Sequence, residues 1–186
     1  MNELWIGVIS FSTKNIELPF NTLPVYEEIE RFAERTREEL EELKNPGPQA
    51  EGFAGSHENP LLIARTYLAW AEKLLKASFD ADRRYIGKRG VPASFSCWSL
   101  GRSLVFFTLP GEAFCRIGKS LKTAALPSAA MVCGYCGGSV GYIPTSDAFK
   151  EGGYEVESAF RFYGFPAPLA ADTGKTIIEL FESMRV

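Results

Sequence analysis

The sequence has little histidine, little cysteine and no long hydrophobic run. Its 186 residues include one histidine, His57, and four cysteines. Four thiols are too few for a disulfide scaffold in a chain of this length. A four-cysteine zinc site needs two close pairs, and here only Cys133 and Cys136 stand close, with Cys97 and Cys115 apart. A redox Cys-x-x-Cys unit sits at a helix start, where the helix dipole lowers the thiol pKa. This pair instead ends an apolar run and leads into Gly137-Gly138, so the thiols read as structural. A Ser-His-acid triad has only His57 as its base, and neither Ser139 nor Ser146 has a histidine near it in sequence. No apolar run approaches the roughly 20 residues of a membrane span. A net charge of −3 and a pI near 5.4 offer no basic surface for nucleic acid or an anionic membrane. Met1-Asn2-Glu3-Leu4-Trp5 lacks the basic region, apolar core and cleavage site of a signal peptide, so a soluble, cytoplasmic protein is expected.

What is present is globular: 46% apolar and 13% aromatic residues, in a length that suits one domain over 1–186. Leu4 to Phe11 reads as a buried strand. After Leu23-Pro24 a helix is predicted to about Lys44, with Val25, Ile29, Phe32, Thr36, Leu40 and Leu43 on one stripe. The opposite face is rich in glutamate, and Glu27 to Arg31 is a favourable i,i+4 pair. Asn45-Pro46-Gly47-Pro48 stops the helix, and a Gly-rich loop follows to Glu58. Asn59 then caps a second helix, with Pro60 at its first position, running to about Phe79. Asp80 to Gly90 is charged and turn-like. Val91–Leu100 and Ser103–Leu109 read as a hairpin about Gly101-Arg102, and Leu104-Val105-Phe106-Phe107 suggests a central strand buried on both faces. Pro110-Gly111 breaks it, and a helix is expected from Glu112 to Pro127, with a buried strand from Ala129 to Tyr135 after it. Strand, helix, strand is a crossover unit, and Asp172 to Val186 is a final helix. The fold class is α/β, a mixed, partly parallel sheet with helices packed on it.

Glu112 follows a central strand directly, and ligands of open α/β sheets bind beyond the carboxyl ends of strands. A glutamate there can equally serve the helix dipole, worth about 0.3–1 kcal/mol. Tyr142 lies just past the next strand, which puts it beside Glu112 if the two strands are neighbours. Tyr154 and Glu155 follow Gly152-Gly153 in a similar setting, where a tyrosine is commonly a packing residue. Gly174-Lys175-Thr176 resembles the end of a phosphate-binding loop, but that motif's first glycine would fall on Leu169 and no strand precedes it.

Leu109-Pro110-Gly111-Glu112, then Gly141-Tyr142-Ile143-Pro144-Thr145, then Gly152-Gly153-Tyr154-Glu155-Val156 resembles the neutral/alkaline non-lysosomal ceramidase family. More loosely, most of the chain is similar to the C-terminal part of that family's catalytic domain. The resemblance implies a zinc-dependent amidohydrolase cleaving an N-acyl amide such as ceramide, with Glu112 and Tyr142 as metal ligands and Tyr154 as a catalytic residue supporting the reacting carbonyl oxygen. In such a site zinc polarises the carbonyl and lowers the pKa of bound water towards 7. The family's two zinc-binding histidines and its serine-bearing motif precede the matched region, and His57 lies in no matching motif. The zinc site is therefore expected to be incomplete. Two readings stay open: a ceramidase-like module not catalytically competent alone that binds a ligand or partner, or a fragment or split subunit of a zinc amidohydrolase. Half of a larger sheet leaves an apolar face or a strand edge, so a homodimer, or a complex with a His-bearing partner chain, is expected.

Overall fold

A computed structural model describes residues 8–45 and 59–184 of the chain. The described residues fold into two compact units, one of residues 8–21, 90–160 and 168–184, the other of 22–45, 59–89 and 161–167.

The first unit is built on a four-stranded sheet in the order β1 (Ile9–Pro19), β2 (Gly90–Leu100), β3 (Leu104–Thr108), β5 (Ala129–Cys133). β1, β2 and β3 are antiparallel, and β3 runs parallel to β5, so the sheet is mixed as the sequence predicts. Between β3 and β5 lie a two-residue strand, β4 (Glu112–Ala113), and helix α3 (Cys115–Ala124). After β5 come β6 (Tyr142–Ile143), short helices α4 (Ala148–Glu151) and α5 (Tyr154–Glu157), a 3₁₀ turn at Ala159–Arg161 and helix α6 (Thr173–Met184).

Alternation along the strands decides what the sheet buries. Phe95 and Cys97 on β2 and Val105 and Phe107 on β3 point to one face and are buried. α6 covers that face, its Phe181 ring lying 4.7 Å from Phe107 and 5.8 Å, edge-on, from Phe95. Ile117 and Leu121 of α3 and Ile177 and Met184 of α6 complete the core. On the opposite face, Phe11 of β1 stacks on Trp98 of β2 at 4.9 Å, and both are exposed.

Several expectations are corrected. β3 is central, but its burial alternates residue by residue, so it is not buried on both faces. Of the expected strand Leu4–Phe11, residues 4–7 lie outside the described residues; the first described strand is Ile9–Pro19, at an edge of the described sheet, with Ile9 and Phe11 exposed rather than buried. β5 is the other edge, and Met131 is exposed rather than buried. Glu112 does not open a helix. It lies in β4, and α3 starts three residues later. His57, placed in the loop to Glu58, lies outside the described residues.

The second unit pairs α1 (Tyr26–Lys44) with α2 (Pro60–Ala77). Asn59 caps α2, its side-chain oxygen accepting the Leu62 N–H at 3.2 Å, with Pro60 at the first position. Ile29, Ala33, Thr36 and Leu40 form the buried stripe of α1. The buried Thr36 hydroxyl is satisfied by the Phe32 carbonyl at 2.8 Å. Glu27 pairs with Arg83 at 3.2 Å rather than chiefly with Arg31. The Arg161 guanidinium sits over the rings of Phe32, Tyr67 and Trp70, at 4.7, 5.2 and 5.2 Å from their centroids. Each such cation–π contact contributes about 0.5–2 kcal/mol. The Trp70 indole N–H donates to the Phe165 carbonyl at 2.7 Å, tying the returning segment to α2. No helix of the described residues is long and apolar enough to cross a membrane.

Candidate functional site

Where β3 ends, Pro110 and Gly111 carry the chain into β4, and the returning segment 134–141 crosses it at backbone distance. Val140 N–H donates to the Pro110 carbonyl at 2.7 Å and Glu112 N–H to the Gly141 carbonyl at 2.9 Å. Gly111 lies between these clamps, and a Cβ there would stand 2.6 Å from the Gly141 carbonyl oxygen. Glycine is required by this close approach. Pro110 and Pro144, at the two ends of the crossing, are fully buried and seat it in the core.

The crossing sets the register. β4 and β6 are parallel, and Glu112 is the direct partner of Tyr142. Paired residues of neighbouring strands, about 4.8 Å apart, project to the same side. The Tyr142 hydroxyl is hydrogen-bonded to the Glu112 carboxylate. Tyr154, the first residue of α5, sets its ring edge-on to that of Tyr142, with centroids 5.9 Å apart. Gly152 and Gly153 precede it at φ 75° and 113°, a left-handed turn that favours glycine. The three residues singled out in the sequence therefore meet in one cluster.

A fourth member, Tyr135, escapes the sequence reading. The β3–β5 ladder pairs Thr108 with Cys133, and Leu109 then takes the Cys133 carbonyl through its N–H. Its own carbonyl accepts from Cys136 N–H, one residue later than a regular parallel ladder requires. The extra residue makes a bulge, and Tyr135 sits there at φ 56°. Its hydroxyl is also hydrogen-bonded to Glu112. The one signal that could have found it is its place beyond the end of a strand neighbouring the one before Glu112, the same logic that points to Tyr142.

Both phenols are held protonated. Burial, then the Glu112 hydrogen bond and the charges of Glu112, Tyr154 and Glu155, push the Tyr142 pKa up to about 12. For Tyr135 the hydrogen bond to Glu112 is the leading cause of an upward shift, with desolvation and the Glu112 charge behind it. The cluster is thus a carboxylate receiving two phenolic hydrogen bonds, able to donate or accept but not to supply a phenolate near neutral pH. Its rim is open, since Tyr135 and Tyr154 are exposed.

No family model matches the chain, and no curated protein or solved structure matches it.

The described residues do not by themselves fit a catalytic zinc. Such a site takes three protein ligands and an open position. Glu112 supplies one carboxylate and Tyr142 one phenol, and no group of three His, Cys, Asp or Glu that could hold a metal ion occurs among the described residues. Two cavities of the first unit include no cluster residue. One of about 470 Å³, lined by Arg116, Ser120, Thr145, Asp172, Lys175 and Ile178 among others, contains none of the four cluster residues. Another of about 340 Å³ borders Ala113 and Gly134, the sequence neighbours of Glu112 and Tyr135. The geometry outweighs cavity size here, because the cluster is where three strand ends deliver hydrogen-bonding side chains to one point.

Proposed function

We propose that this chain is a ceramidase-like α/β module that binds a ligand or partner at the Glu112–Tyr135–Tyr142–Tyr154 cluster and is not catalytically competent alone. The observation that carries the reading is the pairing of Glu112 with Tyr142 across β4 and β6, with Tyr154 packed on Tyr142. These residues stand in the order and spacing of the ceramidase resemblance, and they converge although about thirty residues of chain separate the first from the second. Two donors, Glu112 and Tyr142, would hold zinc poorly, which supports a binding role over hydrolysis by this chain alone. Small-molecule sites bury most of their ligand. A cluster with an exposed rim gives one wall of such a site.

The open rim also favours a second reading, in which another chain brings histidines to Glu112 and Tyr142 and completes a zinc amidohydrolase. The test is metal content of the gel-filtered protein by elemental analysis, with Glu112→Ala as control. Binding without catalysis predicts no stoichiometric metal and unchanged folding of Glu112→Ala. Near-stoichiometric zinc that vanishes in Glu112→Ala would overturn it in favour of the second reading, and N-acyl amides would be the substrates to assay.

A further inference from the structure

Within the first unit, helices cover one face of the four-stranded sheet, and the other face is apolar at one end. Two adjacent rows cross all four strands there. One runs from Ile9 through Leu100 to β3 and β5, and the next from Phe11 through Trp98 and Phe106 to Met131. Ile9 and Phe11 are 66% exposed, Met131 50%, Trp98 41% and Leu100 37%. The following row is hydroxyl-lined, with Thr13 and Ser96 hydrogen-bonded to each other at 3.0 Å and Thr108 beside Ser96.

We infer that this face is a two-fold interface with a second copy of the same chain. Area is the first argument. At these exposures the five apolar side chains present roughly 500–600 Å². That is at the top of the ~300–600 Å² of the largest patch on a typical monomer. With its hydroxyl rim it approaches the ~800 Å² per partner of a standard interface. Composition is the second argument. Neither row carries a charge, so the face meets its own copy without like-charge repulsion. It also lacks the charges by which a different partner would be selected. Sheet faces stack about 10 Å apart, and the stacked Phe11–Trp98 pair supplies the large aromatic surface that dominates such contacts. The inference concerns the sheet and does not depend on the role of the Glu112 cluster.

Sedimentation of the full chain at micromolar concentration tests it, together with Phe11→Glu and Met131→Glu. A charge buried within the interface is expected to weaken association by more than about a hundredfold. The expected result is a wild-type dimer, and monomers for both variants with unchanged far-ultraviolet circular dichroism. Phe11→Thr, which keeps strand preference, serves if a glutamate variant does not fold, and should also weaken the dimer. A wild-type monomer, a dimer indifferent to these substitutions, or a stable complex with a different chain through this face would each overturn the inference.

Discussion

Substituting Gly111 by alanine tests the idea that one backbone crossing assembles the site. The new Cβ would stand 2.6 Å from the Gly141 carbonyl oxygen and 3.1 Å from both the Ile143 Cδ1 and the Val140 Cγ2. A carbon–oxygen contact settles at about 3.3 Å or more, so the two segments must part by roughly 0.7 Å. They cannot do so freely, because the bonds Val140 N–H to Pro110 and Glu112 N–H to Gly141 clamp both sides of the glycine. Overpacking of this kind costs about 1–3 kcal/mol. For a chain of this length that lowers Tm by roughly 2–12 °C. Parting the strands also draws Tyr142 from Glu112, so its ionisation should begin at lower pH. Thermal unfolding and an ultraviolet phenolate titration read the two effects together. Gly118→Ala is the matched control: it lies in α3, where a new Cβ would meet no atom within 4 Å, and should stabilise by about 0.5–1 kcal/mol. If Gly111→Ala melts like the wild type and titrates like it, the crossing does not hold the site as argued.

Phe181→Ala empties the contact between α6 and the sheet, and should cost about 3–5 kcal/mol in denaturant unfolding. Trp70→Phe keeps most of the ring but leaves the Phe165 carbonyl without its indole donor, for a loss of about 1–3 kcal/mol in the same assay. A tyrosine raised from 10.0 to about 12 on folding contributes stability that is full below pH 10 and lost as pH climbs towards 12. Stability should therefore fall over that window, and Tyr142→Phe should make the fall shallower. Glu112→Gln removes the charge but not the burial, so Tyr142 should then ionise earlier than in the wild type yet still later than a free tyrosine, as followed by phenolate absorbance.

The elements legible in the sequence are those whose signals are local. The Asn59-Pro60 start of α2, the stripe of α1, the β2–β3 turn at Gly101 and the final helix each depend on residues within a turn or two of one another. Glu112 reads wrongly as a helix start because Pro110-Gly111 ahead of a helical stripe is locally a good N-terminus. A partner strand thirty residues away outweighs that preference. The apolar run Leu104–Phe107 reads as doubly buried, but hydrophobicity alone does not say whether anything covers the second face. Tyr135 leaves no local trace, since its left-handed backbone is imposed by a bulge in pairing with β3.

Sequence by itself determined the mixed α/β class and the caps of α2, because periodicity and capping are written within short windows; strand-end position pointed to Glu112 and Tyr142, and only the resemblance pointed to Tyr154. Tertiary structure alone decided that Glu112 and Tyr142 are register partners, that Tyr135 joins them, and that Phe11, Trp98 and Met131 are exposed on one face of the sheet. Those outcomes depend on which distant strands pair and in what register. Hydrogen bonds between segments far apart in the chain decide that, and no short window of sequence contains both halves.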